Sequence, residues 1–156
     1  MASDTINTPV QPARRLGRFG AVDPAAVAKA QAALESLSSQ FGQWMQEELD
    51  KLAAARTAIS VEGWSDATAE QLYFRAHDLK GLGTTYGYPT VTRLAASLCR
   101  LLDDPAGRLR APMALVDAHA DAIVAVVRDE IRDVDSPSAK VLLPLLEASV
   151  ADRLAA

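Results

Sequence analysis

The sequence holds a single cysteine, Cys99, which excludes an internal disulfide. Two histidines and one cysteine at wide spacing also lack the ligand pattern of a structural zinc site. Both absences suit a reducing compartment, and a cytoplasmic protein is expected. A basic excess is missing as well. With 16 Lys plus Arg against 20 Asp plus Glu, the net charge of −4 leaves too little positive surface to neutralise many phosphates, which argues against a nucleic-acid role. No stretch approaches the roughly 18 apolar residues of a membrane span. The N-terminus lacks the charged start, apolar run and small-residue cleavage site of an export signal, so the chain is expected to be unexported and off the membrane.

Aromatic residues make up only 5% of the chain, and its eight Gly and eight Pro fall mostly between Ala- and Leu-rich stretches, which favours helices over β-sandwiches. With 49% hydrophobic residues in 156, there is enough apolar side chain for one core. Residues 1–22 are polar, aperiodic and marked by Pro9, Pro12, Gly17 and Gly20. They read as a flexible tail whose Arg14, Arg15 and Arg18 form a solubilising arm.

The folded domain is expected over 23–156. Asp23-Pro24 opens a first helical stretch to about Ile59, with Ser38, Ser39 and Gly42 as possible breaks. A second helix starts near Ser65 or Asp66 and runs through Tyr86 to a stop at Gly87. Pro89 starts a third, with Val91, Leu94, Ala95, Leu98, Leu101 and Leu102 at three- and four-residue steps. Two more are expected over about 113–133, with Leu115, Ile123, Val126 and Val127 as its apolar face, and 137–154, with Val141, Leu142, Leu145, Leu146 and Val150. Short connections favour antiparallel neighbours, so the fold class is all-α: an antiparallel up-and-down four-helix bundle with an additional N-terminal helix.

On the second helix, Leu72, Ala76, Leu79, Gly83 and Tyr86 fall within roughly 40° of one direction and define the core face. His77 points about 140° from its centre, Lys80 about 80°, Thr84 about 120° and Gly81 about 180°. His77 is therefore expected in solvent, flanked by Lys80 and Thr84, whereas His119 aligns with Ile123 and Val126 and reads as a satisfied core histidine. Gly81 and Gly83 each cost about 1 kcal/mol relative to Ala inside a helix. Gly83 faces inward and lets a neighbouring helix approach. Gly81 faces outward, so packing does not explain it. A missing side chain one turn beyond His77 clears room for another molecule's backbone. Lys80, read as the only nearby cation, could balance a phosphoryl group, tuning transfer rather than permitting it. Tyr73 and Phe74, one turn before His77, lie outside the main stripe and could form a docking patch, with Phe74 alternatively covered by the N-terminal helix.

The run His77-Asp78-Leu79-Lys80-Gly81, with Gly87 behind it and an amphipathic helix after that, resembles the histidine-containing phosphotransfer (HPt) domain over roughly residues 66–103. The resemblance implies a four-helix bundle carrying a phosphohistidine in a two-component phosphorelay. His77 would accept the phosphoryl group from a receiver-domain aspartate of a hybrid histidine kinase and pass it to a response regulator. Lys80 would sit beside the phosphate and Gly81 would admit the receiver's loops. On the surface around them, Tyr73, Phe74, Asp78 and Thr84 are read as partner contacts. Family members often place Glu or Gln on the following helix to hold the imidazole's other nitrogen, and that position falls near Cys99.

A neutral imidazole is a competent nucleophile near neutral pH, and no base, nucleotide or metal motif is needed beside it. The expected protein is a phosphotransfer intermediate with no kinase activity and no cofactor of its own, the receiver supplying Mg²⁺, and it is expected to act as a monomer. The competing reading is a binding-only helical adaptor that docks a kinase or receiver without taking phosphate. A third is the phosphoacceptor domain of a chemotaxis-type kinase working in trans.

Overall fold

The computed structural model describes residues 22–156; the expected N-terminal tail and its Arg14, Arg15 and Arg18 lie outside the described residues. Five α-helices follow one another with no strand among the described residues: α1 (Pro24–Glu62), α2 (Asp66–Leu82), α3 (Pro89–Leu102), α4 (Met113–Arg128) and α5 (Pro137–Ala155), with a 3₁₀ turn at Arg108–Arg110 before α4. Two compact units are present, one ending at Ser39 and the other spanning Gln40–Ala156.

Local chemistry explains most of the boundaries. Asp23 caps α1 by accepting from the Ala25 N–H at 3.1 Å, and Pro24 supplies a first helical residue that needs no donor. The helix runs unbroken past Ser38, Ser39 and Gly42, because one exposed Gly among Ala, Leu and Gln costs too little to end it. The additional N-terminal helix is thus the first part of α1 itself, whose residues 24–39 are all exposed. Gly63, at φ +93°, closes α1 in the left-handed region. Ser65 and Thr68 then form a reciprocal capping box at the start of α2.

Within Gln40–Ala156 the helices alternate in direction. Lys51, Ala54 and Ala55 of α1 lie across a groove from Gln71 and Arg75 of α2, while Phe41 packs on Tyr86 near the other end. Thr84 meets Thr92, and eleven residues back on α2 Tyr73 meets Asp103, eleven residues on, which sets α2 and α3 antiparallel. Ser97 bonds His119 and Tyr88 reaches Val127, so α3 and α4 are antiparallel too. Arg56 of α1 closes the ring by pairing with Asp117 and Asp121 of α4. This is the expected up-and-down bundle. The fifth helix lies along α3, where Arg93 pairs with Glu147.

Fully buried Leu52, Leu72, Leu79, Leu94, Leu98 and Ile123 fill the centre, each contributing about 1.5–3 kcal/mol through removal from water. The α3 residues predicted to face inward are all buried.

Three expectations need correction. The second helix stops at Leu82, not Tyr86, because Thr92 of α3 accepts hydrogen bonds from both the N–H (2.8 Å) and the hydroxyl (2.9 Å) of Thr84. Turns follow to Gly87 at φ +89°. The fourth helix ends at Arg128 instead of 133. Glu130 there adopts φ +53°, Ile131 N–H reaches the Val126 carbonyl, and the Ile131 carbonyl accepts from the Thr90 hydroxyl. On α5 the buried stripe is Ala139, Leu143, Leu146 and Val150, while Val141 and Leu145 are exposed. Apolar residues lie on more than one side of that helix, so periodicity alone could not choose the face.

His119 is wholly buried, as expected. Its Nδ1–H donates to the Leu115 carbonyl at 2.8 Å, leaving Nε2 to accept from the Ser97 hydroxyl at 2.8 Å. Burial pushes its pKa below the ordinary histidine value. The folded state therefore resists protonation that the unfolded chain accepts. This stabilising contribution is complete above about pH 6.5 and is lost as pH falls through the depressed folded value. Thermal unfolding followed by circular dichroism should show a steeper fall in Tm between about pH 7 and pH 5 in the wild type than in His119→Gln; parallel slopes would refute it.

Gly83 allows α3 to come close: a Cβ there would lie 2.7 Å from the Thr92 backbone nitrogen and 3.0 Å from the Tyr88 carbonyl oxygen. At Gly81 a Cβ would meet nothing within 4 Å among the described residues. Urea unfolding should accordingly show Gly83→Ala destabilised by about 1–3 kcal/mol. Gly81→Ala should be stabilised by up to about 1 kcal/mol. Equal midpoints for the two variants would contradict this assignment.

Candidate functional site

The buried stripe Leu72, Ala76, Leu79 and Gly83 fixes the rotation of α2, and that rotation decides what the helix shows to solvent. His77, Lys80, Gly81 and Thr84 are all exposed, as the periodicity predicts. Among the described residues the His77 side chain has no hydrogen-bond partner. Its nearest aromatic neighbour is Tyr73, one turn earlier, with ring centroids 6.2 Å apart.

Lys80 takes part in none of the ion pairs among the described residues. An uncommitted ammonium one turn from His77 can meet an arriving anion without first breaking a pair. Among the described residues no heavy atom lies within 4 Å of where a Gly81 Cβ would stand, so the helix surface one turn beyond His77 is open. Asp78 is half-buried and turned toward Arg75, 3.6 Å away. The hydroxyl of Thr84 is given to Thr92, which makes it a latch between α2 and α3 as well as a surface residue.

Phe74 is 48% exposed, its ring 5.8 Å from that of Tyr73. Tyr73 is only half-buried, yet it is held on two sides. Its hydroxyl donates to Asp103 Oδ1 at 2.7 Å, and the Arg108 guanidinium lies over its ring at 4.9 Å. The bond to the Asp103 carboxylate pushes the phenol above its ordinary pKa, so it stays a donor.

Asp103 and Arg108 were not legible as site residues. They lie 30 and 35 positions from Tyr73, on the end of α3 and in the 3₁₀ turn, and Arg108 is a further cation beside the one that Lys80 supplies. The Arg-Leu-Arg stretch carries no periodicity that would announce it. Cys99, near which the resemblance places a polar imidazole partner, is buried. Burial pushes its thiol up to about 11, which makes it a neutral, weak donor.

Chemically, the site is an exposed nucleophile on a rigid helix, with a free cation at one side and open space at the other. No cluster of three or more metal-ligating side chains occurs among the described residues. A cleft lined by Arg100, Arg110 and Arg153 lies away from His77. Among the described residues no helix is long and apolar enough to cross a membrane.

Comparison with curated proteins found no match, and comparison with solved structures found none. The family model described as "Hpt domain" matches residues 36–136, well over half of the chain, and covers all of α2 and α3. An all-α bundle with an outward histidine on its second helix, matched over that span, belongs to the Hpt domain family.

Proposed function

We propose that this protein is a phosphorelay intermediate in which His77 takes a phosphoryl group from a receiver-domain aspartate and passes it to a second receiver. The observation that carries this reading is the outward, unbonded imidazole of His77 on a face where Gly81 leaves open space. A nucleophile exposed on a helix surface suits a macromolecular donor that brings the phosphate in its own site, as a receiver does.

In the transfer, the lone pair of one imidazole nitrogen attacks phosphorus in line with the scissile bond. The phosphorus–oxygen bond to the aspartyl carboxylate breaks, and the carboxylate leaves with the electron pair. The second ring nitrogen releases its proton to water. Mg²⁺ held by the receiver would neutralise the equatorial oxygens. Lys80 offers a further positive charge one turn away, and Gly81 gives the receiver's backbone access. Phe74, Asp78 and Thr84 border the docking face. The flow reverses when a second receiver presents an unphosphorylated aspartate.

Incubation with a panel of phosphorylated receivers should place acid-labile label on the wild type and none on His77→Gln. Lys80→Ala should keep the label, with transfer slowed by no more than about fivefold, the limit for an exposed ion pair of about 0–1 kcal/mol. A wild type that binds receivers but takes no label, with His77→Gln binding equally well, would replace this reading by the adaptor.

A further inference from the structure

An imidazole with nothing to bond is a poor fit to in-line chemistry. On a helix, two χ1 wells and a two-fold χ2 leave an unrestrained histidine about four orientations, and few of them aim a nitrogen at an incoming phosphorus. The following helix offers no remedy, since Cys99 is buried and makes no hydrogen bond to His77 among the described residues.

The helix itself supplies a candidate. Side chains on an α-helix lean toward its N-terminus, so His77 leans back over the residue four positions earlier, which is Tyr73. The two rings lie 6.2 Å apart at 43°. A surface tyrosine would ordinarily move, but this one is fixed by groups from two other segments, Asp103 at its hydroxyl and Arg108 across its face. The second of these is costly to arrange. Arg108 is only 8% exposed, and its Nε has no hydrogen-bond partner, an omission that destabilises a fold. What the buried guanidinium gains in return is the face of Tyr73.

We infer that Tyr73 is a positioning residue for His77, a wall held in place by Asp103 and Arg108 that narrows the orientations open to the imidazole. The inference rests on the reading of His77 as phosphoacceptor. Asp103 acts only through Tyr73, by tethering its hydroxyl. Positioning differs from docking in what it changes: a wall alters the rate within the complex, whereas a contact alters the concentration of receiver needed to form it.

The test is single-turnover transfer from a phosphorylated receiver across a range of receiver concentrations, for the wild type, Tyr73→Ala, Tyr73→Phe, Asp103→Ala and the Phe/Ala double variant. Phosphoramidate, a small donor that docks nowhere, serves as a parallel probe. Tyr73→Ala should lower the limiting rate by about two- to fourfold, the factor set by the freed orientations, with both donors. Its half-saturating receiver concentration should stay unchanged. Tyr73→Phe and Asp103→Ala should show equal, smaller losses, and the double variant should lose no more than either. Two results would overturn the inference while leaving His77 as acceptor: an unchanged limiting rate with a raised half-saturating concentration in Tyr73→Ala, or additive losses in the double variant. Failure of the wild type to take label from any donor would instead remove the phosphoacceptor reading, and the inference with it. Far-UV circular dichroism and Tm of each variant separate these outcomes from misfolding.

Discussion

The close contact between the end of α2 and the start of α3 sets the geometry on which the site depends. Gly83 has no side chain, so the Thr92 backbone and the Tyr88 carbonyl can approach to distances that a Cβ would forbid. Thr92 then takes over the hydrogen bonds of Thr84, which ends α2 and holds the two helices together. With that end pinned and Leu72, Ala76 and Leu79 buried below it, α2 has one rotation available. His77 faces solvent as a consequence of packing on the opposite side of its own helix, and the same rotation places Lys80 and Gly81 beside it.

Exposure gives the imidazole access and takes away guidance. Buried His119 shows the contrast: both ring nitrogens are bonded, one tautomer is selected, and burial disfavours its charged form. Such a residue is well positioned and unreachable. His77 is reachable, and the order it lacks from hydrogen bonds has to come from steric neighbours. The Asp103–Tyr73–Arg108 cluster stands where that order is needed, and the orphaned Nε of Arg108 indicates that its arrangement was not set by stability alone.

The Hpt match over residues 36–136 establishes kinship and says nothing about any single side chain. His77, Lys80 and Gly81 stand exposed together on one face, and that joint exposure supports the proposed chemistry.

Much of this was legible in the sequence, because a helix converts residue spacing directly into direction. The period of 3.6 places Leu72, Ala76 and Leu79 on one side and His77 on another without any knowledge of neighbours. Pro24, Pro89 and Pro137 marked helix starts for the same local reason. Tertiary structure decided what depends on two segments at once. The early stop of α2 needed Thr92, the early stop of α4 needed Thr90, and the inward face of α5 needed the surface it packs against. The tethering of Tyr73 joined residues 30 and 35 positions apart. Periodicity reports where a side chain points along its own helix; only the folded chain reports what it meets there.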